Sequence, residues 1–116
     1  MCSGGAVARA FAGTDIGLIL VDNSPGDGAA DVVRRAAPDA TIIANVSNRG
    51  YAAAVNQAFE ITEAELVLLV NPDVRRISGS FDDVLGAFGD PSVGAVVTQL
   101  VNVAGEVQPH CIRAPR

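Results

Sequence analysis

Lysine is absent from this 116-residue chain: its eight basic residues are all arginines, spread from Arg9 to Arg116, against thirteen carboxylates, for a net charge of −5. Without clustered cations there is no basic field for a phosphate backbone, so nucleic acid is not expected as a partner. Long apolar runs are missing too. None approaches the ~20 residues that a membrane span requires, and Met1-Cys2-Ser3-Gly4-Gly5 lacks the basic-then-apolar order of a secretory leader. The chain therefore reads as cytoplasmic, with no transmembrane segment. Its two cysteines, Cys2 and Cys111, match neither a zinc ribbon nor a disulfide framework and are expected as free thiols. The single histidine, His110, adjoins Cys111 and leaves any tetrahedral metal set unfilled. No Gly-x-Ser-x-Gly elbow and no Ser/His/Asp or Cys/His arrangement is available for nucleophilic catalysis. A glycine-rich phosphate fingerprint of the Rossmann or P-loop kind is also missing.

What the sequence does have is a 49% hydrophobic content, ample for the core of one domain over residues 1–116. Three continuous apolar runs, Ile16 to Val21, Ala40 to Ala44 and Leu66 to Val70, read as strands covered on both faces. Helical stretches fall between and after them, at Gly28 to Ala37, Gly50 to Thr62 and Gly79 to Phe88. This order implies an α/β fold with a mainly parallel sheet and right-handed crossovers. Tyr51, Val55, Ala58, Phe59 and Thr62 share one helical face expected to pack on the sheet, and Asn48 is placed to cap that helix. Beyond Asp90-Pro91, Val93 to Thr98 reads as a further strand, and Leu100-Val101-Asn102 with Val107-Gln108 flank a hairpin turn. The start, Met1 to Gly13, offers only a short helix-like piece at 6–12, as though an opening strand were missing.

Chemistry-bearing residues gather where strands end. Asn71-Pro72-Asp73 follows the run Glu65-Leu66-Val67-Leu68-Leu69-Val70, and Pro72 restricts the angle at which Asp73 is held. A carboxylate there suits Mg²⁺ or Mn²⁺; the alternative is an ordinary Asn-Pro-Asp turn. Asp22, ahead of Asn23-Ser24-Pro25-Gly26-Asp27-Gly28, either accepts a hydrogen bond from a nucleotide base or makes an Asx turn, with Asp27 capping the next helix. In Asn48-Arg49-Gly50-Tyr51-Ala52-Ala53-Ala54-Val55-Asn56, Gly50 and the alanines allow close approach, and Asn56, unfavoured inside a helix, is either exposed or turned to a ligand. In a parallel sheet all three places lie on one edge, where α/β folds bind ligands.

These segments, in this order, resemble the inverting family 2 glycosyltransferases of the GT-A fold, especially the bacterial rhamnosyltransferase-like branch. The match runs from about residue 18 to 113, through Val21-Asp22-Asn23-Ser24, Asn48-Arg49-Gly50-Tyr51 with Asn56, Leu68-Leu69-Val70-Asn71-Pro72-Asp73, and Val93-Gly94-Ala95-Val96 on to Arg113. The resemblance implies a three-layer αβα donor-binding domain, here without its first strand and its acceptor part. It implies that Asp22 reads the base beside Asn23, that Asn48, Gly50 and Asn56 line the donor nucleotide, and that Asn71-Pro72-Asp73 stands for an Asp-x-Asp motif, Asp73 being the metal ligand. The implied reaction moves a sugar from a dTDP- or UDP-sugar to a glycan or lipid-linked acceptor, with a divalent cation, in cell-wall polysaccharide synthesis at the inner face of the membrane. Asn71 removes one carboxylate from the motif, and Arg49 is bulkier than the apolar residue commoner there. No catalytic base is identified; Glu106, in a hairpin turn, is a poor candidate, so little transfer is expected of this chain by itself. The competing expectation is a non-catalytic α/β nucleotide-binding or interaction module, with the open sheet edge offering a route to a homodimer.

Overall fold

The computed structural model describes residues 15–109; the helix-like piece at 6–12, Cys2, His110, Cys111 and Arg113 lie outside them. The chain divides into two compact units, Met1–Ile77 and Ser78–Arg116.

In the first unit, β1 (Ile19–Asp22) and β2 (Thr41–Ala44) are built from branched residues that suit a pleated surface. They pair in parallel, Ile19 opposite Thr41 through Asp22 opposite Ala44. Parallel pairing requires a crossover, supplied by α1 (Ala29–Ala36). Gly28, at φ 80°, turns the chain into α1, and the Asp27 carboxylate accepts from Ala29 N at 2.8 Å. Asp31 in the first turn and Arg34 and Arg35 in the last suit the helix dipole. The second helix, α2 (Tyr51–Ile61), follows β2, and both helices pack against β1. Val33, on α1, is the buried apolar residue of this unit among the described residues.

The α/β class and the parallel pairing agree with the sequence, as do all three helices to within two residues at each end. The expected strand at 66–70 does not join the sheet, which has two strands among the described residues. Leu66, Val67, Leu68 and Leu69 are exposed. Nor are β1 and β2 covered on both faces: Thr41 and Ala44 are exposed, and the other apolar strand residues only half-buried. Apolar runs report a tendency to be buried, whereas ladder pairing is set by tertiary context. Val55 and Ala58 on α2 and Thr62 at its C-cap are half-buried, but Tyr51 and Phe59, expected against the sheet, are exposed.

The second unit contains α3 (Phe81–Ala87), capped by Ser80, whose hydroxyl accepts from Asp82 N at 3.1 Å. The expected strand at 93–98 forms no ladder. The hairpin is present as an antiparallel bridge between Val101 and Val107. Gly105 N donates to Asn102 O at 3.0 Å, and Gly105 takes φ 84°, the positive angle such a turn demands. Asn102 Oδ1 accepts from both Ala104 N and Glu106 N, so one amide holds the turn.

Between α3 and the hairpin, Asp90 Oδ1 accepts from the Ser92 hydroxyl at 2.7 Å and from Ser92 N at 2.9 Å. These two bonds, the hydroxyl's foremost, hold the Asp90 carboxyl below its usual range. A lowered value in the folded state means that the turn's contribution to stability is present above the ordinary carboxylate pKa and lost as pH falls through the lowered one. An NMR titration is expected to find Asp90 protonating at lower pH than an unbonded aspartate, and Ser92→Ala is expected to move it back up.

Candidate functional site

Because β1 and β2 are parallel, both release the chain at the same edge. The register continues one step past the strands, with Asn45 N donating to Asp22 O at 2.9 Å. Three described residues are buried, and two of them, Asp22 and Asn45, are polar residues at this edge, 9% and 8% exposed. Buried polar groups must find partners. Asp22 Oδ1 accepts from Ser24 N at 3.1 Å, closing an Asx turn. Its Oδ2 has no partner among the described residues.

Beside Asp22 lies a network of side-chain amides. Asn23 Oδ1 accepts from Arg49 N at 3.0 Å and from Asn45 Nδ2 at 3.1 Å. Asn23 Nδ2 donates to Asn48 Oδ1 at 3.0 Å and to Gly50 O at 3.3 Å. Asn45 and Gln57 form a reciprocal pair, Asn45 Nδ2 donating to Gln57 Oε1 at 2.8 Å and Gln57 Nε2 to Asn45 Oδ1 at 2.9 Å. Main-chain N–H groups can only donate, so Arg49 N fixes which end of Asn23 is oxygen, and Gly50 N, donating to Asn48 Oδ1 at 2.8 Å, does the same for Asn48. Every other amide orientation in the network follows from those two.

Gly50, rather than Asn48, occupies the N-cap position of α2. Its φ of 84° and ψ of 161° fall in a region open essentially to glycine alone. A Cβ there would meet no atom within 4 Å, so the requirement for glycine is one of backbone conformation and not of space. Asn48 acts two residues earlier, holding Gly50 N before the helix begins.

The remaining candidates stand apart from this network. Asn56 is exposed on α2. Asn71, Pro72 and Asp73 form a tight turn in which Val74 N donates to Asn71 O at 3.2 Å, with all three residues exposed. No hydrogen bond among the described residues ties this turn to Asp22 or Asn23.

A sequence model of glycosyl transferase family 2 matches residues 6–109, about nine-tenths of the chain. The chain belongs to glycosyl transferase family 2. No curated protein and no solved structure matches it at the significance applied. Family 2 enzymes transfer sugars from nucleotide-sugar donors to acceptors, generally with a divalent cation, and the α/β architecture with its parallel pair accords with the GT-A fold.

Among the described residues no group of three His, Cys, Asp or Glu side chains is arranged to hold a metal. Magnesium, however, keeps several waters and is often bound by one or two carboxylates together with substrate phosphates. A single exposed carboxylate on a stiff turn, as at Asp73, fits an ion that arrives with a diphosphate better than a permanently held one.

Asn45 and Gln57 were not singled out by the sequence. Asn45 directly follows the strand run Thr41-Ile42-Ile43-Ala44, and Gln57 lies between Val55 and Phe59 on α2; a polar residue at each otherwise apolar position was the available signal. Gly50→Ala is expected to cost about 1–3 kcal/mol of stability, the usual cost of forcing a side chain into such a backbone region, measured by urea unfolding against Gly86→Ala, which sits at a helical glycine.

Proposed function

We propose that residues 1–116 carry the donor-binding half of an inverting, rhamnosyltransferase-like family 2 glycosyltransferase, acting in the cytoplasm on a dTDP- or UDP-sugar. The observation that carries the reading is the pairing of one spare acceptor with nearby spare donors at the strand-end edge. Asp22 Oδ2 is available to accept from the N–H of a pyrimidine base. On the neighbouring loop the Asn48 oxygen already accepts twice, which leaves the donors of its Nδ2 for a ligand, and the Arg49 guanidinium has no partner among the described residues. A base offering an N–H and a diphosphate offering anionic oxygens meets that pattern.

Asp73 is the residue we assign to hold a divalent cation that would arrive with the donor diphosphate, with Asn71 and Asn56 completing the donor wall. Such an ion, when bound, neutralises charge gathering on the departing diphosphate. The chain's own part is to hold the nucleotide so that the acceptor oxygen approaches the anomeric carbon from the opposite face, which inverts it. Glu106 is not assigned as the base that takes the acceptor's proton, because its Oε2 accepts from Asn102 Nδ2 at 2.7 Å within its own hairpin.

Calorimetric titration with UDP and dTDP, with and without Mn²⁺, tests the reading. Binding is expected to strengthen with Mn²⁺, and Asp73→Ala is expected to remove that gain, a loss of roughly tenfold or more in affinity if one charge-assisted contact disappears. Absence of binding by the unaltered chain favours a non-catalytic module instead.

A further inference from the structure

The amide network has a second consequence, resting on the donor-site reading above. An asparagine side chain offers two acceptor sites on its oxygen and two donor hydrogens on its nitrogen. Asn23 uses all four, on Arg49 N, Asn45, Asn48 and Gly50 O. Nothing is left with which to contact a nucleotide, although Asn23 adjoins Asp22 in sequence. Its neighbour Asn45 is buried, and its amide is held in turn by Gln57 from the second turn of α2.

We propose that Gln57 and Asn45 are positioning residues for donor binding, acting through Asn23. The chain of amides runs from α2 through the end of β2 to the turn after β1, and from there to the loop carrying Asn48, Arg49 and Gly50. Gln57 fixes Asn45, Asn45 orients the oxygen of Asn23, and Asn23 grips the loop at Arg49 N, Asn48 Oδ1 and Gly50 O. The loop's remaining donors, Asn48 Nδ2 and the Arg49 guanidinium, are thereby held out toward the nucleotide while Asn23 itself touches no ligand. The chain also returns on itself, because Gly50 leads directly into α2, the helix that carries Gln57. Loop and helix therefore fix each other. A fully bonded polar group rigidifies what surrounds it, and Asn23 is fully bonded.

Gln57→Glu is the direct test, since it keeps the oxygen that accepts from Asn45 Nδ2 and replaces the donor facing Asn45 Oδ1 with a second oxygen. NMR hydrogen exchange on the full chain is expected to show faster exchange at Arg49 N and Gly50 N, and titration with UDP or dTDP a roughly tenfold weaker Kd from the lost amide bonds. Because a merely structural glutamine would also lower stability, the deciding readout is rescue. Gln57→Asn alone shortens one partner and is expected to weaken the pair, whereas Gln57→Asn with Asn45→Gln restores its combined length and is expected to recover slow exchange and affinity together. If Gln57→Glu is poorly folded, Gln57→Asn carries the same exchange measurement. Unchanged exchange at Arg49 N and Gly50 N in folded variants overturns the proposal. Exchange that follows the proposal, in a chain that binds neither nucleotide, upholds the network as what holds the loop and overturns the donor-site reading instead.

Discussion

The side-chain amide of Asn23 joins three pieces of chain that would otherwise meet only at their ends: the turn after β1, the start of the β2–α2 connection, and the loop that opens α2. Much of the first unit's order at the strand-end edge depends on it. Backbone pairing delivers Asp22 and Ala44 side by side, but beyond the bond from Asn45 N to Asp22 O no further ladder holds the chain among the described residues. A polar cluster takes over where the sheet stops, partly buried at Asn45 and Gln57 and exposed at Asn48 to Gly50.

Burial makes the same point. Among the described residues only Val33, Asp22 and Asn45 are buried, so the best-protected part of the first unit outside α1 is a polar edge and not an apolar core. Such an arrangement gives up hydrophobic stabilisation, which scales with the apolar area removed from water, and gains directional groups with fixed orientation. For a chain whose family handles nucleotide sugars, directional groups at the carboxyl ends of parallel strands are where the chemistry is needed. The hairpin of the second unit repeats the device on a smaller scale, with the Asn102 oxygen gripping two main-chain N–H groups across a turn.

Much of this was legible in the sequence, for identifiable reasons. The helices were found between and after the apolar runs, with Gly28, Gly50 and Gly79 at their expected starts and, in the second, with apolar positions that repeat at helical spacing. The β1–β2 pair was found because short runs of branched residues flank a helix. The runs at 66–70 and 93–98 misled because continuous apolar character resembles a central strand whether or not a partner strand lies alongside. At the site, Asp22 and Asn48 were visible as strand-end and helix-start residues. The role of Asn23 was not, because counting its hydrogen bonds requires knowing that Asn45 and Gln57, 22 and 34 positions away, stand beside it or one link beyond. Pairings at that separation leave no periodic trace in a single sequence.

The central claim is that the strand-end edge around Asp22 and the Asn48–Gly50 loop is where a nucleotide binds. Backbone chemical-shift mapping of the full chain on addition of UDP or dTDP with Mg²⁺ addresses it most directly. The account predicts perturbations concentrated at Asp22 to Ser24, Asn48 to Tyr51 and Asn71 to Val74. Shifts confined to α3 and the hairpin, or none at these three segments at saturating nucleotide, would contradict it.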